Sequence, residues 1–295
     1  MNRPCLETIA VHYAYPGAEA ASRACFSLRS QALANANLSI HTGECVALLG
    51  ANGSGKSTLL LHLNGILRPV SGEVRCEGRA LDYSRKGLLA LRQQVALVFQ
   101  DPDDQLFAGT LAQDVSFGPL NLGLDQAQTR QRVVEALAAV DLSDRAELPL
   151  HMLSHGQRKR AAIAGALALQ PRVLLLDEPT AGLDPEGVEN LLGHLDRLIQ
   201  RGMCVLFSTH DVDLALRWAS RVAIMREGAV IASGEPASVL ADEAMLRIAR
   251  LRLPVALAVV SQLSAGVRLE QLPAHFLRRR PKPFSQSPES SLCTS

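Results

Sequence analysis

Apolar residues in this chain follow two different spacings. Short unbroken runs occur at 44–49 (ECVALL), 94–99 (QVALVF), 173–176 (VLLL) and 203–208 (MCVLFS). Runs of this length predict strands buried on both faces. A glycine-rich loop follows the first run, and helical sequence is predicted from 56 to 67, where Arg68-Pro-Val-Ser-Gly72 breaks it. Buried strands that alternate with helices, without tight hairpins, predict a mostly parallel sheet covered on both faces.

The middle of the chain departs from that alternation. From 101 to 169 helical periodicity prevails, and Val133, Val134, Leu137 and Val140 recur at helical spacing after a cap at Asp125. The pattern predicts a helical subdomain inserted into an α/β core. Residues 221–233 alternate as a strand pair at the sheet edge, and 235–263 return to helix. The expected divisions are a core of 1–100 with 170–234, a helical part at 101–169 and a helical extension at 235–277. A polar, proline-containing tail at 278–295 has the composition of a disordered segment. Its basic run at 278–282 is short and isolated, which favours a solvated tail over a lipid contact.

Composition narrows the class only a little. The 295 residues are 47% hydrophobic and 20% charged with a net charge of +1, so bulk charge does not point to nucleic acid as a partner. The six cysteines form no CxxC pair, which argues against a zinc site or a disulfide framework and fits a reducing cytosol. The longest apolar stretches, 161–169 and 254–260, fall short of the about 20 residues a spanning helix needs. Work at a membrane would therefore require docking onto a partner that spans it.

The chemistry concentrates in a few short motifs. Gly50-Ala51-Asn52-Gly53-Ser54-Gly55-Lys56-Ser57-Thr58 matches GxxxxGK[ST] between a predicted strand and a predicted helix. Glycines there let backbone N–H groups wrap phosphates, and the helix N-terminus adds positive partial charge. Lys56 would reach the β- and γ-phosphates and Ser57 would offer a hydroxyl to Mg²⁺. The run at 173–176 ends in Asp177-Glu178-Pro179, two adjacent carboxylates suited to magnesium chemistry. Asp177 would hold the metal's water shell and Glu178 would polarise an attacking water. An acidic helix cap before Pro179 is the plainer alternative.

Leu153-Ser154-His155-Gly156-Gln157 precedes a predicted helix, with Ser154 near its N-cap. With these motifs in this order, the chain from about Leu6 to Leu263 resembles the ABC ATPases, whose signature is LSGGQ. The resemblance implies a RecA-like P-loop core with an antiparallel edge, an inserted helical subdomain and a dimer that closes on ATP and Mg²⁺. Ser154, Gly156 and Gln157 of one subunit would then cap the γ-phosphate held by the other. His155 stands where that family has glycine. The resemblance also assigns Gln100 to the Q-loop, Asp184 to the D-loop and His210 to the γ-phosphate. Tyr15 would stack on adenine, with Tyr13 as a substitute, although the stretch 17–30 makes the path to the P-loop longer than the family's; a longer hairpin turn would account for it.

Two further stretches, 99–107 (FQDPDDQLF) and 114–124 (DVSFGPLNLGL), are similar to the ATPases of energy-coupling-factor importers. The LSHGQ variant is similar to the subset serving cobalt and nickel uptake. That likeness implies a second ATPase subunit, a transmembrane coupling protein, a substrate-binding membrane component and a place on the cytoplasmic face of the membrane. Asp101, Asp103 and Asp104 would suit a coupling helix that carries arginine. A vitamin importer shares most of these features. A soluble ABC ATPase acting on ribosomes or DNA would usually carry two cassettes or a long inserted arm, and a nucleotide kinase would leave 153–157 unexplained. His151 and His155 are four apart, but the helix start at Ser154 separates them, which disfavours a metal pair.

Overall fold

The computed structural model describes residues 3–16 and 31–263. The 17–30 stretch and the tail with its basic run lie outside the described residues. In chain order the elements begin with strands Leu6–Ala14 (β1), Gln31–Ile40 (β2) and Cys45–Leu49 (β3), then helix Lys56–Leu63 (α1). Strands Ser71–Cys76 (β4) and Arg79–Ala80 (β5), helix Arg85–Gln94 (α2) and strand Val95–Val98 (β6) follow. Three helices come next: Leu111–Asn121 (α3), Gln126–Ala139 (α4) and His155–Leu167 (α5). Val173–Leu176 (β7), Pro185–Gln200 (α6), Cys204–Thr209 (β8) and Val212–Trp218 (α7) return to the core. The described chain closes with Arg221–Arg226 (β9), Ala229–Gly234 (β10), Pro236–Leu240 (α8), Glu243–Ile248 (α9) and Val255–Leu263 (α10).

Two sheets result. One is antiparallel in the order β2-β1-β4-β5, and the other runs β10-β9-β3-β8-β7-β6. The strands from β9 through β3, β8 and β7 to β6 are parallel, and only β10 joins antiparallel. Helix α1 lies between the two sheets, with Leu59, Leu60 and Leu63 buried in one core. A helix covered on opposite sides needs no polar face, which explains why Leu59-Leu60-Leu61 runs unbroken. A second core joins the parallel sheet to α3, α4 and α5.

Two sequence expectations are corrected. Tight hairpins are present. Glu77-Gly78 joins β4 to β5 and Glu227-Gly228 joins β9 to β10, with φ of 52° and 74° and of 48° and 82°. Two successive positive φ values make a type I′ turn, and glutamate in place of asparagine or aspartate hides its usual signature. The helix predicted to 67 ends at Leu63, because the Asn64 amide turns to donate to Val95 O at 2.6 Å and Gly65 takes φ +71°. The stretch 235–263 returns to helix as expected, in three short pieces. Strand β1 escapes a periodicity reading because its register shifts between Thr8 and Val11. Ala10 sits there at φ 48° with its N–H bonded to Asn37 Oδ1. Buried positions Leu6, Thr8, Val11 and Tyr13 therefore do not alternate.

Burial pushes the imidazoles of His62 and His194 below the usual value of 6.5, with Arg197 and Arg160 adding to the effect at His194. Both rings are neutral in the folded chain near neutral pH, whereas in the unfolded chain they gain protons below about pH 6.5. The unfolded state binds more protons in that window, so stability present above about pH 6.5 is lost as the pH falls below it. The melting temperature should fall between about pH 7.5 and about pH 5.5, and His194→Gln should flatten part of that fall. Scanning calorimetry reads both, and an identical slope in the variant would contradict the assignment.

Candidate active site

Residues 50–55 connect β3 to α1, and 56–58 open that helix, at the carboxyl end of the parallel sheet. Two glycines are required by geometry. A Cβ at Gly50 would stand 2.5 Å from Met225 O, and Gly55 adopts φ +104° with only 2.6 Å from its Cβ position to Ala32 O. Asn52, Gly53 and Ser57 are exposed, Ala51 is half-buried, and Ser54 and Thr58 are buried. Lys56 is buried at 7% exposure, and its ammonium bends back over the loop to donate to Gly50 O at 2.8 Å. A glycine-rich loop that opens a helix and holds one buried cation has the elements of a phosphate-binding turn.

The carboxylates arrive from the neighbouring strands. Asp177 and Glu178 follow β7, and Ser208 lies near the end of β8. The Ser208 hydroxyl donates to Asp177 Oδ1 at 2.5 Å and accepts from the Glu178 N–H at 2.9 Å. Glu178 is 8% exposed, and its carboxylate lies 3.6 Å from Lys56 Nζ and 3.2 Å from His210 Nδ1 through either oxygen. Its backbone sits at φ 44°, in the left-handed region that costs a non-glycine residue roughly 1–2 kcal/mol. That peptide is clamped from both ends. Ser208 holds the N–H, and Lys159 Nζ donates to the Glu178 carbonyl at 3.3 Å and to that of Pro179 at 3.2 Å.

Lys159 is only 5% exposed, and burial lowers its pKa while Asp101 and Glu178 pull it back up. Sequence reasoning passed over it because Arg158-Lys159-Arg160 reads as a solvated helix face. Ser208 was legible only as the end of a strand.

Gln100 is exposed two residues beyond β6, at the same sheet edge as Asp177, whose N–H bonds Val98 O at 3.0 Å. Tyr15 lies 45% exposed just beyond β1, and its hydroxyl is 3.2 Å from Thr58 Oγ1. Tyr13 is buried, which leaves Tyr15 as the open ring beside the phosphate loop.

A second group of residues lies apart from these. Ser154 and Gln157 cap α5 reciprocally, with Gln157 N donating to Ser154 Oγ and Ser154 N to Gln157 Oε1. Asp184 caps α6 by accepting from Gly187 N at 2.9 Å. Both helix starts line a cavity of about 420 Å³ that includes Gly156 and His155 but none of residues 50–58. The His155 ring packs on Gly182, where a Cβ would stand 3.0 Å from Nε2, so this glycine makes room for the ring. Lys56, Asp177, Glu178 and His210 therefore converge within one chain, whereas Ser154, Gly156, Gln157 and Asp184 form a separate surface.

Residues 33–181 match the ABC transporter family model. The chain is 54% identical over 85% of its length to a cobalt import ATP-binding protein, CbiO, of Rhodobacter capsulatus, covering 86% of it. It is 51% identical over 74% of its length to an energy-coupling factor transporter ATP-binding protein, EcfA, of Methanocaldococcus jannaschii, covering 78% of it. It also superposes on CbiO1 of Clostridium perfringens, part of the ABC transporter complex CbiONQ, with a TM-score of 0.73 and 41% identity. That match covers 88% of this chain and 99% of the other.

Ser208→Ala removes the donor to Asp177 and the acceptor for the Glu178 N–H. Leaving such buried groups unpaired costs about 1–3 kcal/mol, so nucleotide turnover should drop roughly tenfold to a hundredfold with nucleotide affinity nearly retained. Steady-state hydrolysis and equilibrium binding check the split; a loss confined to affinity would refute it.

Proposed function

The chain belongs to the ABC transporter ATP-binding family, an ATPase resembling the subunits of CbiO and EcfA type, and on that premise we propose that it drives the import of cobalt or nickel ions. Identity to a cobalt import protein across most of both chains supports the metal cargo. The EcfA likeness keeps a vitamin importer as the second reading.

Two subunits close on two ATP molecules. The loop 50–58 grips the phosphates of one molecule, Tyr15 meets its base, and Ser154, Gly156 and Gln157 of the second subunit approach from the other side, with Asp184 beside them. The separation of these two groups within one chain supports the dimer. Ser57, Gln100 and Asp177 offer only oxygen donors, which fits Mg²⁺. The ion would neutralise phosphate charge there. Glu178 orients the attacking water, and its burial keeps the carboxylate in a dry, polarising setting. His210 steadies both Glu178 and the terminal phosphate. Lys56 exchanges its carbonyl partners for phosphate oxygens.

The observation that carries the coupling to a membrane partner is a groove beside Gln100. Ile66, Phe99, Phe107 and Phe117 line it with 45%, 37%, 64% and 50% of their surfaces exposed, and Phe107 and Phe117 meet edge to face. Exposed aromatics gathered in one groove suit an apolar helix. Asp101, Asp103 and Asp104 stand close in sequence to that groove and are exposed, which favours cationic residues on the incoming helix. Of the three, Asp103 already pairs with Arg158 at 3.1 Å. Among the described residues no helix is long and apolar enough to cross a membrane, consistent with peripheral attachment through this groove.

Glu178→Gln should retain ATP binding, stabilise the closed dimer and abolish turnover; near-normal turnover would sink its role as the base. Tagged Glu178→Gln with ATP, recovered from detergent-solubilised host membranes, should bring down a polytopic coupling protein and a metal-type substrate component. A vitamin-binding component would move the cargo to the second reading, and ribosomal proteins or DNA alone would refute transport.

A further inference from the structure

Two buried aromatic side chains lie behind the nucleotide site. Tyr13 on β1 is 9% exposed and His62 on α1 is fully buried. Their rings meet edge to face with centroids 4.7 Å apart, and Tyr13 meets Tyr15 in the same manner at 5.1 Å. His62 Nδ1 lies 2.7 Å from Thr58 O, and the Tyr15 hydroxyl lies 3.2 Å from Thr58 Oγ1. The four residues close a ring: Tyr15 to Tyr13 along the strand, Tyr13 to His62 across to the helix, His62 back to Thr58, and Thr58 to Tyr15.

This ring is a direct link between the two grips on the nucleotide. The phosphates are held by the loop that starts α1, and the base is met by an exposed tyrosine at the end of β1. The span between them is set by the nucleotide itself, so both grips work together only if β1 and α1 keep one register. When they do, the second contact forms at a high effective concentration; when the spacing drifts, the gain is lost.

We infer that His62 and Tyr13 are positioning residues for the nucleotide base, holding the Tyr15 ring at the distance from the phosphate loop that lets one ATP engage both. The inference rests on the nucleotide reading given above. The tautomer follows from the geometry: a carbonyl can only accept, so the proton sits on His62 Nδ1 and Nε2 carries the lone pair. Nε2 is buried and has no hydrogen-bond partner among the described residues. A leucine of similar bulk at this position would fill the space without that unpaired nitrogen, so the imidazole is not the choice that packing alone favours. What histidine adds is the donor to Thr58 and a flat ring against Tyr13.

The test compares ATP with inorganic tripolyphosphate, which offers the phosphates without a base, on the full chain in the presence of Mg²⁺. His62→Leu and Tyr13→Leu should each weaken ATP binding about tenfold while leaving tripolyphosphate binding within about twofold. In turnover the loss should appear in KM and be recovered at saturating ATP. His62→Gln, whose amide can still donate towards Thr58 O, should recover part of the affinity. Equal loss of both ligands at an unchanged melting temperature would overturn the inference, since that is the signature of a disturbed phosphate loop. Unchanged ATP affinity in both leucine variants would also overturn it. Tyr15→Ala separates the premise from the inference: if it leaves ATP binding intact, the base reading itself fails.

Discussion

Three parallel strands ending within two residues of one another are the constraint on which this molecule depends. β3 and β8 pair so that Leu49 faces Thr209, and β7 and β8 so that Leu176 faces Phe207. The residues that continue each strand, the phosphate loop after β3, Asp177 and Glu178 after β7, and His210 after β8, are thereby delivered to one edge. The strands are buried on both faces and tolerate no slip, because parallel pairing in a covered sheet leaves no solvent-facing register to fall into. A buried lysine and a buried glutamate can then share one site. Lys56 finds Gly50 O and the Glu178 carboxylate, and neither charge is left uncompensated.

The left-handed turn at Glu178 shows how that edge is held. A residue there carries backbone strain, and strain persists only where surrounding contacts over-determine it. Ser208 supplies one clamp and Lys159 the other. Lys159 belongs to α5, whose N-terminus carries Ser154 and Gly156, so the surface proposed to meet the partner's nucleotide is tied directly to the peptide of the proposed base. The aromatic groove beside Gln100 draws on α3, α5 and the end of β6, and the Gln105 amide bonds Ala162 O on the same helix. A partner helix seated there would bear on α5 and, through it, on the site. Coupling by this route needs no long path, since one helix contacts all three places.

The nucleotide's other end depends on a different piece of packing. Helix α1 is wedged between two sheets, and the antiparallel sheet that covers it also carries Tyr13 and Tyr15. The bulge at Ala10 re-aims the last residues of β1, which brings the tyrosines over Thr58 and His62. Phosphate and base grips thus come from separate sheets, joined through the helix between them and through the close approach of Gly55 to Ala32 O on β2.

Much of this was legible without coordinates. The parallel core, the helical insertion, the cap at Asp125, the phosphate loop and the paired carboxylates all rest on local signals. Their spacing and residue types are dictated by backbone geometry within a few positions. The antiparallel sheet was less visible, because a bulge breaks the alternation of β1 and glutamate stands in the type I′ turns. Ser208, Lys159 and His62 were invisible as contributors. A serine in a strand, a lysine in a basic run and a histidine in an apolar helix acquire their roles from neighbours 19 to 49 residues away, as in Lys159 with Glu178 and His62 with Tyr13. Sequence by itself determined which chemical groups the chain could bring to a nucleotide, because motifs encode local backbone shape. Which of those groups are buried, clamped and set against one another was decided only by tertiary packing, because desolvation and hydrogen bonding between distant segments exist only once the sheets have closed over α1.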